Sequence, residues 1–128
     1  MNRRNSCSVS VFGLGYVGCV SAACLASRGC RVVGVDVNPD KMESLRHGRC
    51  PVVEDDIGDL TAEVVAAGRL VVTADARAAV LGTDLSLVCV GTPSAAGGAL
   101  STRYLEEATA QIGAALRESL EARGLRLP

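Results

Sequence analysis

Residues 12–18 read Phe12-Gly13-Leu14-Gly15-Tyr16-Val17-Gly18, which places three glycines in the spacing GxGxxG. The apolar, β-branched run from Cys7 to Phe12 comes directly before them and predicts a buried strand. Helical character follows from Val17 to Ser27, and Gly29 is placed to end that helix. A strand, a glycine-rich turn and a helix in this order predict a site where backbone amides approach a phosphate.

Each glycine of the motif has its own physical reason. Gly13 permits a tight turn, Gly15 lets the backbone approach a pyrophosphate without an intervening Cβ, and Gly18 lets the helix pack closely on the strand. Gly18, Ala22 and Ala26 recur every four residues, which predicts a smooth ridge on the helix face that meets the sheet. Free amides at the helix N-terminus, at the positive end of its dipole, would then hold the phosphates. The motif alone is a weak signal in a chain with 14 glycines; its position between a strand and a helix makes it specific.

An acidic residue completes the pattern. Asp36 follows a second predicted strand, Arg31 to Val35, and stands 18 residues after Gly18. A carboxylate there can accept hydrogen bonds from both hydroxyls of an adenosine ribose, and its charge would repel the 2′-phosphate of NADP. NAD is therefore the predicted cofactor. The plainer alternative is that Asp36 is only an acid in the turn at a strand end.

The segment after Asp36 is punctuated as a helix, because Asn38 is an N-cap candidate, Pro39 fits the first helical position and Gly48 fits the stop. Lys41 lies in this helix, where its ammonium either reaches the adenosine ribose or stays in water, and spacing alone leaves both open. A further helix is predicted after an acidic turn at residues 54–56.

The second half of the chain continues the alternation of strands and helices. Leu70 to Thr73 and Leu85 to Val90 predict strands, and Asp75 to Leu81 predicts a short helix between them. A flexible loop is predicted from Ala95 to Gly98, before a long amphipathic helix that begins near Thr102. The apolar face of this helix is predicted to hold Leu105, Ala108, Ile112, Leu116 and Leu120.

This alternation predicts an α/β fold, a Rossmann-type, doubly wound parallel sheet with the strand order 3-2-1-4. Strands one and four are then adjacent, and a ligand is expected in the crevice between their carboxyl ends. Thr92 follows the fourth strand in Val90-Gly91-Thr92-Pro93, at that edge. Its hydroxyl either contacts the cofactor or belongs to an ordinary Gly-Thr-Pro turn.

Composition narrows the class of protein. The formal net charge is −1 and the basic residues are scattered, which argues against nucleic acid as a partner. Six cysteines form no CxxC pair and mostly lie in apolar runs, so we expect reduced thiols in a cytoplasmic protein. With His47 as the only histidine, no metal site is expected. Glycines and serines interrupt the uncharged run from Asn5 to Ser27, which argues against membrane insertion or export.

Four sequence blocks occur in order along the chain. They are Phe12 to Gly18, Gly34 to Asn38 with Lys41, Pro51 to Glu54, and Cys89 to Ser94. Together these blocks resemble the signature of the UDP-glucose/GDP-mannose dehydrogenase family, and ordered blocks are far more specific than the glycine motif alone. The similarity covers nearly the whole chain and is somewhat closer to the GDP-mannose 6-dehydrogenase branch.

The resemblance implies an activity as well as a fold. It implies oxidation of a sugar C6 alcohol to a carboxylate with two NAD in succession, through a cysteine thiohemiacetal and a thioester. The family carries this cysteine and its lysine, asparagine and aspartate partners downstream of Pro128, so no catalytic residue is assigned within the chain. The residues implied to contact NAD are Gly13, Gly15, Tyr16, Val17, Gly18, Asp36, Lys41 and Thr92.

Two positions limit what is carried over from the resemblance. Cys89 belongs to a strand motif and is not expected to be the nucleophile. Glu54 is followed by Asp55-Asp56-Ile57, whereas the family usually has Pro-Gly-Leu there. This departure puts the local loop conformation, and any active-site role of Glu54, in doubt.

Length predicts a single unit. Residues 1–128 are expected to form one N-terminal NAD-binding domain, truncated after about four strands and inactive by itself as a dehydrogenase. The fourth strand would be an exposed apolar edge, which predicts either self-association, as in a homo-oligomer, or poor solubility. The expected small-molecule partner is a nucleotide sugar.

Two alternatives from other functional classes stay open at this point. One is a non-catalytic NAD-sensing module of the kind attached to ion transporters, and the other is an NAD-linked dehydrogenase of 3-hydroxyacyl or 6-phosphogluconate type. The sequence downstream of Pro128 would separate them, because only a sugar-nucleotide dehydrogenase should supply a cysteine nucleophile there.

Overall fold

The computed structural model describes residues 7–51 and 54–125. Val52 and Val53, inside the third sequence block, lie outside the described residues. Four strands alternate with five helices in the described part of the chain. In chain order the elements are β1 (Ser8–Phe12), α1 (Tyr16–Ser27), β2 (Arg31–Val35), α2 (Pro39–Arg46), α3 (Asp55–Ala66), β3 (Leu70–Thr73), α4 (Ala76–Leu81), β4 (Leu85–Val88) and α5 (Arg103–Ala122).

The strands form one parallel sheet with the order β3-β2-β1-β4, which confirms the predicted topology. β1 lies at the centre, where Phe12 is level with Val35 on β2 and with Val88 on β4. Because all the strands run in the same direction, their carboxyl ends meet at one edge of the sheet. The glycine-rich turn and Asp36 both lie at this edge, directly after β1 and β2.

Apolar side chains cover both faces of the sheet. Val11 and Val32 face a core that includes residues of α1, α2 and α3. Val33 and Phe12 face a second core, formed with α4 and α5. Helices on both faces of a parallel sheet define a doubly wound α/β architecture. The small-residue ridge of Gly18, Ala22 and Ala26 is buried, so α1 lies close to the sheet as predicted.

Two serines on neighbouring strands, Ser10 and Ser86, form a hydrogen bond with each other. The hydroxyl oxygens of Ser10 on β1 and Ser86 on β4 are 2.7 Å apart across the sheet. Ser10 is fully buried, and this contact accounts for its hydroxyl without water. Ser86 is the one polar residue among the apolar residues of β4, and its hydroxyl is accounted for by this hydrogen bond across the two strands.

The capping and stop residues predicted from the sequence place most helix ends correctly. The side chain of Asn38 accepts hydrogen bonds from the amides of Asp40 and Lys41, so it caps α2 as predicted. Gly29, Gly48 and Gly68 follow α1, α2 and α3 with positive φ. The predicted acidic turn at residues 54–56 is wrong in part, because Asp55 and Asp56 form the first turn of α3. Acidic residues favour that position, since they face the positive end of the helix dipole.

The fourth strand is shorter than predicted. It ends at Val88 rather than Val90, although the amide of Cys89 still donates to the carbonyl of Phe12 at 2.7 Å. The segment from Ala95 to Gly98, predicted as a flexible loop, forms a hydrogen-bonded turn, with the Ala95 amide donating to the Ala99 carbonyl at 2.6 Å.

The buried face of α5 agrees with the predicted one only in part. Ala108 and Ala115 are buried in the core shared with α4, whereas Leu105 is 38% exposed and Leu116 is 49% exposed. Small side chains let α5 approach α4 closely, and the longer leucines then lie beside the contact rather than within it. Ala108 and Ile112, which packs against the same core, confirm part of the predicted face, whereas Leu105 and Leu116 were placed on it wrongly because hydrophobicity alone favoured the leucines.

Candidate dinucleotide-binding site

The turn after β1 requires glycine at its first position. Gly13 has a φ of +94°, and a Cβ built there would lie 2.7 Å from the backbone carbonyl of Cys89. The amide of Gly13 also donates to the carbonyl of Val35 at 2.9 Å. The turn is therefore held between the ends of β2 and β4, at the carboxyl edge of the sheet.

The other two glycines differ in what surrounds them. A Cβ at Gly18 would lie 1.7 Å from the carbonyl oxygen of Gly13, so α1 can start against the turn only with glycine there. A Cβ at Gly15 would meet no described heavy atom within 4 Å beyond its chain neighbours. Gly18 is thus needed by the fold itself, whereas the absence of a side chain at Gly15 leaves open space that a ligand can approach.

The N-terminus of α1 presents unbonded amides beside this space. Gly15 is the N-cap and has no side chain that could cap the helix, and the first turn contains no acidic residue. The amide of Cys19 is the first to find a helical acceptor, the carbonyl of Gly15 at 2.9 Å. Within the described part of the chain, the amides of residues 15–18 donate to no protein acceptor. Tyr16 and Val17 are 65% and 63% exposed, so this turn is open to solvent and suits an anion.

Asp36 is fixed beside the turn by two backbone amides. Its Oδ2 atom accepts from the amide of Leu14 at 2.8 Å, and its Oδ1 atom accepts from the amide of Asn38 at 2.9 Å. An ionised carboxylate can accept about four hydrogen bonds, so each oxygen keeps one free lone pair. The site therefore orients a carboxylate with spare acceptors, which is what a pair of ribose hydroxyls requires.

Leu14 is a part of the site that the sequence reasoning missed. Its side chain is fully buried, and its Cδ2 atom would lie 2.9 Å from a Cβ on Gly34. Leu14 thus occupies space that a larger residue in β2 would fill, and its amide holds Asp36. The available signal was the glycine within an otherwise β-branched strand, since such a glycine marks a close approach.

Lys41 lies in the first turn of α2, at the same edge of the sheet. Its backbone amide donates to the Asn38 side chain at 3.3 Å, and its side chain is exposed. Lys41 thus lies on the helix that begins at the edge of the sheet carrying the glycine-rich turn, while a contact with a ribose stays a prediction.

Thr92 is exposed in the segment that follows β4. That segment is held by a bridge between Ser94 and Leu100 and by the amide of Ser101, which donates to the Pro93 carbonyl at 2.7 Å. Since β4 neighbours β1, Thr92 leaves the sheet at the edge where the glycine-rich turn lies. Its contact with a cofactor also stays a prediction.

Three other reactive side chains stand outside the predicted contact set, and one of them, Cys89, abuts the glycine-rich turn, with its Cβ 3.5 Å from a Cβ built on Gly18. His47 is the exposed C-cap of α2, with its Nδ1 atom 2.9 Å from the carbonyl oxygen of Glu43. Burial raises the pKa of Cys89, and a thiol kept protonated is a poor nucleophile. Glu54 is the exposed N-cap of α3, and its side chain makes no capping hydrogen bond. Residues 7–51 and 54–125 contain no group of three or more potential metal ligands.

A separate concave space of about 350 Å³ lies between α4 and α5. Its lining includes Asp75, Arg77 and Glu118, and the last two form an exposed ion pair across it. Neither the glycine-rich turn nor Asp36 contributes to this space. No helix in the described ranges has the length and apolarity that a membrane span needs.

A doubly wound sheet with free amides at the first helix and an anchored acid after the second strand defines a dinucleotide-binding domain. The family model for the NAD binding domain of the UDP-glucose/GDP-mannose dehydrogenase family matches residues 7–121. The chain therefore belongs to the UDP-glucose/GDP-mannose dehydrogenase family and corresponds to its NAD-binding domain. This assignment confirms the resemblance inferred from the four sequence blocks.

Individual relatives agree with the family. The chain is 50% identical over 113 residues to the GDP-mannose 6-dehydrogenase of Azotobacter vinelandii, a match that covers 88% of this chain and 26% of the relative. Identity to the UDP-glucose 6-dehydrogenase of Rhizobium meliloti is 39% over 110 residues, covering 85% of this chain and 25% of that protein. The difference agrees with the predicted preference for the GDP-mannose branch.

A solved structure gives the same result in three dimensions. A ternary complex of GDP-mannose dehydrogenase from Pseudomonas aeruginosa matches with a TM-score of 0.82 and 45% identity, over 86% of this chain and 25% of that one. The chain thus spans about a quarter of the length of the relatives it matches.

Proposed function

We propose that this chain holds NAD for a nucleotide-sugar 6-dehydrogenase, as a single NAD-binding domain over residues 1–128. The observation that carries the proposal is the set of free amides at residues 15–18, which lie beside the open face of Gly15. The neighbouring carboxylate of Asp36 is oriented before any ligand binds. Together these groups match the two parts of NAD that dinucleotide-binding folds grip, the pyrophosphate and the adenosine ribose.

Each group has a separate task in this proposal. The amides of Tyr16 and Val17, with the positive end of the α1 dipole, neutralise the pyrophosphate. Asp36 accepts hydrogen bonds from the ribose hydroxyls and repels a 2′-phosphate, which selects NAD over NADP. Lys41 and Thr92 supply an ammonium and a hydroxyl at the same edge. NAD, when bound, supplies the hydride acceptor for oxidation of the sugar C6 alcohol.

The rest of the activity is proposed from the relatives. The named relatives are GDP-mannose and UDP-glucose 6-dehydrogenases, so the proposed substrate is a nucleotide sugar of that class. The matched family model is that of the NAD binding domain, so we assign the catalytic thiol to the part of the relatives that this chain does not match. We further propose a cytoplasmic location and assembly into a homo-oligomer.

Titration of the chain with NAD and NADP by calorimetry tests the proposal. We expect NAD to bind more tightly than NADP, and Asp36→Ala to weaken NAD binding and remove the preference. Asp59→Ala serves as the matched control, because Asp59 is an exposed acid on α3. Equal affinity of the unaltered chain for both cofactors, or equal effects of the two substitutions, would contradict the assignment.

A further inference from the structure

Cys7 and Cys30 are neighbours across the first two strands. The parallel register pairs Ser8 with Arg31, so the preceding residues, Cys7 and Cys30, stand opposite each other. The backbone confirms this continuation, because the amide of Arg31 donates to the carbonyl of Cys7 at 2.9 Å. Adjacent strands lie about 4.8 Å apart, within the Cα separation of roughly 4.4–6.8 Å that a disulfide spans.

The two side chains also point to the same face of the sheet. Cys7 stands two residues before Val9, and Cys30 stands two residues before Val32. Both valines face the core beneath α1, and side chains two residues apart on a strand point to the same face. Both cysteines are partly buried against that core, and burial, followed by the neighbouring Cys7, raises the pKa of Cys30. Two free thiols are thus held side by side and remain partly accessible to a small oxidant.

We propose that Cys7 and Cys30 form a disulfide when the chain meets a hydroperoxide. One sulfur attacks a peroxide oxygen, which gives a sulfenic acid and one water molecule. The other sulfur then displaces the sulfenic oxygen as a second water molecule. The two thiols lose two electrons and two protons in total, and hydrogen peroxide is reduced to two waters. In a reducing compartment the bond would be transient, as a redox-responsive modification.

The position of the pair gives the bond a defined effect. Residues 8–29, between the two cysteines, contain β1, the glycine-rich turn and the whole of α1. The disulfide would close this unit at the amino ends of the strands, opposite the edge where Asp36 and the turn lie. It would restrict the unfolded chain and leave the nucleotide edge unobstructed.

A second thiol pair offers a matched comparison. Cys19 and Cys50 belong to the same core, but Cys19 is only 2% exposed. Burial, and next the neighbouring Cys50, raise the pKa of Cys19 to about 12. The pKa of Cys30 is raised as well, but Cys7 and Cys30 are only partly buried, so an oxidant reaches them more readily and the Cys7–Cys30 pair should oxidise first.

The test treats the reduced chain with one equivalent of hydrogen peroxide, alkylates the remaining thiols and digests with trypsin. We expect a disulfide between the peptides 5–28 and 29–31, with fragment ions that place it at Cys7. We also expect the thermal midpoint to rise on the order of 10 °C, reversibly with dithiothreitol. Cys7→Ser and Cys30→Ser should each remove the rise, whereas Cys50→Ser should keep it. Two results on the unaltered chain would overturn the proposal. One is that Cys7 and Cys30 are both still alkylated after peroxide treatment, and the other is that Cys19 and Cys50 form a disulfide before Cys7 and Cys30 do.

Discussion

The carboxylate of Asp36 accepts a 2.8 Å hydrogen bond from the backbone amide of Leu14, which joins the end of β2 to the glycine-rich turn. The other oxygen of the same carboxylate holds the amide of Asn38, at the start of the next helix. Asp36 therefore orders the nucleotide edge before a ligand arrives, and a preformed carboxylate loses less entropy on binding. Its structural and ligand-binding roles can be separated by experiment.

Replacement of Asp36 by asparagine should destabilise the chain even without nucleotide. The amide side chain offers only one acceptor oxygen, so one of the two backbone amides loses its partner. We expect the free energy of unfolding to fall by about 1–3 kcal/mol, measured by urea denaturation. The exposed Asp59→Asn should change it by less than about 0.5 kcal/mol. Equal stability of the Asp36→Asn chain and the unaltered chain would show that the two hydrogen bonds contribute nothing to the free energy of unfolding.

Alanine at Gly15 should separate binding from folding. Gly15 has an ordinary φ of −79°, and a methyl group there meets no described atom within 4 Å beyond its chain neighbours. The free energy of unfolding should therefore change by less than about 1 kcal/mol. The methyl group nevertheless fills the space assigned to the pyrophosphate, so NAD affinity should fall by about tenfold or more in a calorimetric titration. Unchanged affinity would place the phosphates elsewhere.

Alanine at Gly18 should have the opposite pattern. Its methyl carbon would lie 1.7 Å from the carbonyl oxygen of Gly13, so α1 or the turn must move. We expect a loss of about 3 kcal/mol or more in unfolding free energy, measured by urea denaturation in the absence of nucleotide. A Gly18→Ala chain as stable as the Gly15→Ala chain would mean that α1 does not approach the turn as closely as described.

The sequence predicted the parts of this fold that depend on local patterns. The GxGxxG stretch, Asp36 and the cap residue Asn38 were placed correctly, because each acts within a few residues of its own position. The hydrogen bond between Asp36 and Leu14 was not predicted, since it joins residues 22 positions apart. The exposed position of Leu116 was missed for a related reason. Which face of α5 is buried depends on how closely it approaches α4, and a hydrophobic pattern does not specify that distance.

The burial of Cys19 should make the free energy of unfolding fall in alkaline solution. Its pKa is raised from 9.0 to about 12, first by burial and then by Cys50. The unfolded chain therefore releases this proton at lower pH than the folded chain, so stability is complete below about pH 9 and falls as pH rises towards 12. Urea denaturation across this range should show a shallower decline for Cys19→Ala. Parallel declines for the two chains would contradict the described burial.

The fourth strand should promote self-association. Leu85 is 49% exposed and Leu87 is 37% exposed on an edge strand, where unpaired backbone groups can also bind another chain. We expect the average mass in sedimentation velocity to rise with concentration, and to rise less for Leu85→Lys. Leu125→Lys is the matched control, since Leu125 is 55% exposed beyond α5 and changes the charge equally. Identical behaviour of the two variants would exclude the β4 edge as the contact.

The central claim is that the amides at the start of α1 bind the pyrophosphate of NAD. Backbone amide resonances of the ¹⁵N-labelled chain report this directly when they are followed by NMR during a titration with NAD. The account predicts that the largest shifts occur at Gly15, Tyr16 and Val17, with smaller ones at Leu14 and Asn38 beside Asp36. Shifts centred instead on the concave space between α4 and α5, with the turn unmoved, would contradict it.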